Sequence, residues 1–156
     1  MKVVITGGAG FIGSHLVEDL HKRYEVHVID NLSTGHFENI KPFLNKIYFH
    51  KLDLYKSKKS EIDKVLKGSS IVFHLAALAD IVPSMQHPVK YYNSNVTGTL
   101  NLLQSILKNK IPKIIYTASS SCYGIPDKYP TNELSDLRPQ YPYALTKLMG
   151  ENLIFH

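Results

Sequence analysis

The chain has 156 residues, 44% of them hydrophobic and 20% charged, the size and composition of one globular domain rather than of a disordered, fibrous or repetitive protein. Its formal charge of +5 comes from 18 Lys and Arg spread along the chain in short clusters such as Lys56-Ser57-Lys58-Lys59; with no basic helix or aromatic platform this argues against nucleic-acid binding and leaves a mild field that favours anionic ligands. Gly7-Gly8-Ala9-Gly10 breaks the opening apolar run, no later run reaches membrane-spanning length, and Cys122 is the one cysteine, so the chain is expected in a reducing, cytoplasmic compartment.

Short β-branched runs bounded by turn residues alternate with longer amphipathic stretches, the pattern of βαβ units around a parallel sheet. In chain order the spacing predicts strand Val3 to Thr6, helix Phe11 to Lys22, strand Val26 to Asp30, strand Ile47 to Leu52, helix Ser60 to Leu66 and strand Ile71 to His74. There follow one long helix from Val89 to Asn109, a strand from Lys113 to Thr117, and a last helix beginning near Tyr143. Ile12, Leu16, Val17 and Leu20 mark the core face of the first helix. Tyr92, Val96, Leu100, Leu103 and Leu107 mark that of the long helix, with Leu102 and Ile106 as a second row that fits either a wider core stripe or an oligomer contact. Pro126, Pro130 and Pro139 make Tyr123 to Tyr141 a long loop, and loops of that length inside compact domains usually carry function.

Thr6-Gly7-Gly8-Ala9-Gly10-Phe11-Ile12-Gly13 closes the first strand and opens the first helix. That context turns a glycine-rich segment into a dinucleotide-binding fingerprint: glycine allows the tight turn, the approach of a pyrophosphate and close helix packing, and the free amides at the helix start hold phosphate. Asp30 ends the second strand 17 residues after Gly13, near the spacing of about twenty expected of an acid that binds the adenosine ribose hydroxyls. Its carboxylate repels a 2′-phosphate, so NAD is favoured over NADP.

Tyr143-Ala144-Leu145-Thr146-Lys147 sets a phenol and an ammonium four residues apart on one helical face, with Pro142 suited to the first turn. A free phenol has a pKa near 10, and a neighbouring cation favours the phenolate, which makes a usable acid/base. The pattern is common by chance and takes its meaning from position, after a strand that runs into Thr117-Ala118-Ser119-Ser120-Ser121-Cys122-Tyr123-Gly124.

With these residues the sequence resembles the extended short-chain dehydrogenase/reductases of the NAD-dependent epimerase/dehydratase family, along essentially its whole length. The resemblance implies an α/β fold, a Rossmann-type doubly wound parallel sheet, incomplete at its C-terminal edge. On that expectation residues 1–156 form the NAD-binding domain and the substrate domain is absent, so the chain by itself is expected not to turn over. The resemblance also implies the site. Ser119, four residues before Tyr123, Tyr143 and Lys147 are the catalytic set. Gly7, Gly10, Phe11, Ile12, Gly13, Asp30, Asn31, Asp53, Leu54, Leu75, Ala76, Ala77, Tyr143 and Lys147 are the cofactor set, and no metal is expected. Tyr143 would remove the sugar hydroxyl proton, Ser119 bind the same oxygen and Lys147 hold the nicotinamide ribose. His74 reads as a buried structural histidine, and Asn95 as a support behind the site.

Dehydratases of this family carry Asp-Glu directly after the catalytic hydroxyl, where this chain has Ser120 and Ser121, and related decarboxylases usually carry a nearby glutamate. NAD-dependent 4-epimerisation of a UDP-sugar is the expected reaction, and Asp30-Asn31-Leu32-Ser33-Thr34-Gly35 resembles the epimerases' loop. Ala79 departs from it, because members acting on UDP-galactose carry lysine there. Another nucleotide-sugar dehydrogenase, decarboxylase, dehydratase or reductase, and a non-catalytic NAD-binding module, stay open. A homodimer through helices 89–109 and 143–156 is expected.

Overall fold

A computed structural model describes all residues, 1–156. Five strands, β1 (Lys2–Thr6), β2 (Glu25–Asp30), β3 (Ile47–Lys51), β4 (Ile71–His74) and β5 (Ile114–Tyr116), form one parallel sheet in the order β3-β2-β1-β4-β5. The register runs Val4 beside His27 and Val72, and His74 beside Tyr116. This is the doubly wound Rossmann-type arrangement, in which the order reverses next to β1 and ligands bind beyond the carboxyl ends of the strands at that switch point.

Side-chain alternation along the strands builds two cores, one on each face. Val3 and Ile5 of β1, with Val26 and Val28 of β2, pack under Val17 of α1 (Phe11–Leu20). Val4, Ile29 and Val72 face the other way, onto Ile62, Val65 and Leu66 of α2 (Lys59–Leu66) and Leu102 and Ile106 of α5 (Gly98–Lys108). A strand buried on both faces must be apolar at successive positions, which is why Val3-Val4-Ile5 reads as an unbroken run. No helix is long and apolar enough to cross a membrane.

The predicted long helix is a composite. A short helix α3 (Ile81–Gln86) lies ahead of the predicted span, and that span divides into α4 (Pro88–Tyr92), a π-turn over Asn93–Thr97 and α5. The π-turn inserts one residue and rotates everything after it by about a quarter turn. The row expected to face the core does so only in part: Val96 is buried and Leu103 packs against the core, but Tyr92, Leu100 and Leu107 are exposed, whereas Leu102 is 0% and Ile106 6% exposed. Those two are core residues, which decides between the two readings in favour of the wider core stripe. Helix α3 was hidden by Pro83, which sits harmlessly in its first turn. Ile12 is likewise exposed.

The last helix, α6 (Pro142–Phe155), begins one residue before Tyr143 and packs on α3, α4 and the π-turn. The long loop ahead of it starts as a turn over Ser120–Tyr123. Its ends are tied where the Arg138 N–H donates to the Cys122 carbonyl at 2.9 Å. Gly124 there has φ +63, and a Cβ on it would lie 2.1 Å from the Arg138 carbonyl oxygen, so glycine is required.

Candidate active site

The carboxyl ends of β1, β2, β3 and β4 and the loops after them line an open cleft of about 100 Å³. Of the predicted cofactor residues, Gly7, Gly10, Asp30, Asn31, Asp53, Leu54, Leu75, Ala76 and Ala77 line it. The sequence reading missed Ser33, Thr34, Gly35, Tyr55 and Ser94, which line it too. Their signal was weak: small or polar loop residues, of which only Gly35 marks a close approach, since a Cβ there would lie 3.1 Å from an Asp30 carboxylate oxygen.

The glycine turn is shaped by sterics that the motif only implied. Gly7 has φ +71, and a Cβ on it would lie 2.7 Å from the Ala76 nitrogen; one on Gly13 would lie 2.2 Å from the Gly7 carbonyl oxygen. Helix α1 thus starts directly against the turn. Its first amides, those of Phe11, Ile12 and Gly13, have no partner in the protein, and no side chain caps Gly10. Unpaired amides on a ten-residue helix suit a pyrophosphate. The side chains of Phe11 and Ile12 point to solvent, so what these two can offer a ligand is their backbone N–H groups.

Asp30, 7% exposed, accepts the Ala9 N–H at 2.9 Å and the Leu32 N–H at 2.8 Å, one on each carboxylate oxygen. It therefore pins the glycine turn to the end of β2, and the second bond holds Leu32 at φ 59. A carboxylate has about four lone-pair positions, so both oxygens keep acceptor capacity toward the cleft. Asn31 donates to Asp53 at 2.9 Å. Burial opposes charge on Asp53, but the Asn31 amide and the Lys56 and Tyr55 backbone N–H groups outweigh it and hold its carboxyl below the usual range.

His74, 1% exposed, ties the strand ends together. Its Nδ1 lies 2.7 Å from Thr6 Oγ1 and its Nε2 2.8 Å from Thr99 Oγ1. Because the Thr99 hydroxyl donates to the Asn95 carbonyl, it must accept from His74, which sets the neutral Nε2–H tautomer with Nδ1 accepting from Thr6. Burial foremost, and then the Lys147 charge, lower its pKa to about 3. Asn95, carried on the π-turn, accepts the Leu78 N–H at 2.8 Å and donates to the Leu78 carbonyl and to Thr146 Oγ1, each at 3.0 Å. It joins the loop after β4 to α6. Both residues are structural, as their sequence context suggested.

The predicted catalytic three converge. Ser119 caps the turn after β5 and accepts the Ser121 N–H at 3.3 Å, while the Tyr143 hydroxyl donates to Ser119 Oγ at 3.4 Å. Lys147, one turn further along α6 and 4% exposed, donates to the Thr117 carbonyl at 2.7 Å. Burial pushes its ammonium down to about 8, still mostly charged at neutral pH. Cys122 is buried and burial raises its thiol pKa, so it packs rather than attacks.

Comparison with known proteins agrees with this fold. The NAD dependent epimerase/dehydratase family matches residues 3–156. The UDP-glucose 4-epimerase of Lactobacillus helveticus is 38% identical over 99% of the chain and 46% of its own length. Among solved structures, the UDP-N-acetylglucosamine 4-epimerase of Methanobrevibacter ruminantium, in complex with UDP-N-acetylmuramic acid, superposes with TM-score 0.92 at 38% identity, over 99% of this chain and 49% of that one. The UDP-glucose 4-epimerase of Brucella ovis, solved with NAD, gives 0.90 at 33% identity, over 99% and 46%. The chain spans about half the length of these relatives.

Proposed function

The chain belongs to the NAD dependent epimerase/dehydratase family, and from that premise we propose that it is the cofactor-binding and acid/base half of an NAD-dependent UDP-sugar 4-epimerase. The observation that carries the proposal is the convergence of Ser119, Tyr143 and Lys147 at the same carboxyl end of the sheet as a cleft whose glycine turn and Asp30 suit a dinucleotide.

The unpaired amides of α1 would hold the pyrophosphate, Asp30 the adenosine ribose hydroxyls, and Asn31, Asp53 and Leu54 the adenine end. When bound, NAD supplies reversible two-electron chemistry at the sugar's C4, which no side chain can provide. Tyr143 takes the proton of the C4 hydroxyl and later returns it, Ser119 hydrogen-bonds the same oxygen, and Lys147 supplies the adjacent positive charge and a donor for the nicotinamide ribose. Epimerisation needs no acid beyond these, whereas eliminating water from the sugar needs a further carboxylate. The positions next to Ser119 are the hydroxyls Ser120 and Ser121, which favours epimerisation over dehydration.

The UDP-sugar would be seated largely by chain outside residues 1–156. Catalysis depends on fixing the sugar with binding energy from its remote nucleotide, so these residues alone bind NAD without turning over UDP-sugars. We assign the protein to the cytoplasm and to a homodimer. Val89 and Tyr92 of α4 and Leu145 of α6 are exposed and flank an apolar groove with Met149, a surface suited to a second copy.

Calorimetric titration with NAD and NADP tests the cofactor assignment. NAD is expected to bind one to one, with NADP weaker by about tenfold or more, because like charges brought together cost several kcal/mol. Equal or tighter NADP binding contradicts it.

A further inference from the structure

Lys147 is buried without an acidic partner: no carboxylate lies within salt-bridge distance of its ammonium. One carbonyl, that of Thr117, receives one of its three N–H donors. The other close group is the ring of Tyr116, the last residue of β5, whose centroid is 4.1 Å from Nζ. The Tyr116 hydroxyl passes alongside α6 and donates to the Lys147 backbone carbonyl at 3.1 Å. On the sheet side the ring leans on His74, centroid to centroid 5.6 Å. Gly150 makes room at the hydroxyl, since a Cβ there would lie 2.6 Å from the Tyr116 oxygen.

We propose that Tyr116 is the positioning residue for Lys147, its ring forming the seat of the ammonium and its hydroxyl fixing the stretch of α6 that carries it. The negative face of a buried ring stabilises a cation that has lost its water. Two neighbouring groups, the Tyr116 ring at the end of β5 and the Thr117 carbonyl just after it, therefore set the ammonium in place before any ligand arrives. Burial keeps the Tyr116 phenol protonated, so the ring and hydroxyl are constant features near neutrality. The other groups acting on the ammonium are His74 from β4, Cys122 from the turn after β5 and Glu151 of α6. His74 is neutral there, and the remaining two favour the charge, Glu151 without coming within ion-pair distance. That this placement serves Tyr143 rests on the function proposed above; the placement itself does not.

The test follows the Lys147 side chain by NMR in a pH titration of the 156-residue protein without cofactor, so it is independent of whether NAD binds. The wild type should titrate near pH 8. Tyr116→Phe keeps the ring and should stay close to that value. Tyr116→Leu should lower it by roughly 0.4 to 1.5 pH units, the equivalent of a desolvated cation–π contact. Unfolding is distinguishable, because a solvated lysine moves the other way, toward about 10.4; if Tyr116→Leu unfolds, Tyr116→Met supplies bulk without a π face and should show the fall. Gly150→Ala should lower Tm in the wild type and recover most of that loss in the Tyr116→Phe background, where the oxygen it meets is gone. An unchanged Lys147 titration in the folded Leu or Met variant, or an equal Gly150→Ala loss in both backgrounds, overturns the proposal.

Discussion

The hydroxyl of Tyr143 on α6 lies 3.4 Å from Ser119 Oγ at the end of β5, a long hydrogen bond that joins two residues 24 positions apart in the chain. Such contacts commonly tighten only when substrate oxygen enters between donor and acceptor. In an epimerase carrying this half, Tyr143→Phe is expected to lower kcat by roughly 10²- to 10⁴-fold, the usual contribution of a positioned acid/base, with NAD affinity nearly unchanged. Ser119→Ala should cost less, roughly 10- to 100-fold, as one hydrogen bond to a charge-bearing oxygen is removed. Steady-state kinetics beside cofactor titration checks both, and retention of most of the activity by Tyr143→Phe removes it from the chemistry.

Gly13 also packs the start of α1 against the glycine turn. A Cβ 2.2 Å from the Gly7 carbonyl oxygen forces α1 away from the turn, so Gly13→Ala should destabilise by about 1–3 kcal/mol, read as a fall in Tm of roughly 3–10 °C. Calorimetry on the chain without NAD separates this from a binding defect; an unchanged Tm contradicts the close packing.

His74 predicts how acid acts on the fold. Unfolded, it takes up a proton near pH 6.5; folded, only near 3. Between those values the unfolded state binds more protons, so this contribution to stability is complete above about pH 6.5 and is lost as pH falls toward 3, by at most about 1.4 kcal/mol per pH unit. His27 and His50, also lowered by burial, add to the same trend. His74→Gln keeps a donor and an acceptor but cannot titrate, and urea unfolding from pH 7 to 4 should show a slope shallower by up to one proton. An identical slope would mean that His74 is not held neutral.

The groove between α4 and α6 predicts the oligomeric state. Light scattering of the wild type should give the mass of two chains, and Leu145→Asp should give one. A wild-type monomer at high concentration contradicts the dimer.

Most of the architecture was legible because alternation along the strands and the turn residues between them report directly on burial: Val3-Val4-Ile5 and Val26 to Asp30 appear as strands where the pattern placed them. The phase of the long helix was not legible. A π-turn leaves no hydrophobic signature, and Thr99 and Ser105, buried at 1% and 0%, hide the core stripe of α5 behind polar letters. At the site, the spacing of Gly7, Gly10, Gly13 and Asp30 and of Tyr143 and Lys147 marked segments that the fold brings to the carboxyl ends of the strands. The role of Tyr116 was invisible, because a ring beneath an ammonium depends on two elements meeting, and neither segment carries a sign of the other.

The most direct measurement of the central claim is to let this chain replace the matching first half of the Lactobacillus helveticus relative and to assay the hybrid with NAD and UDP-galactose, following the C4 epimer. Binding of NAD reports that the hybrid has folded. The account predicts epimer formation by the NAD-bound hybrid, its loss in the Tyr143→Phe hybrid, and none from residues 1–156 alone. A hybrid that holds NAD but forms no epimer, or sustained turnover by the 156 residues alone, would contradict the assignment of cofactor and acid/base to this half and of the sugar to the other.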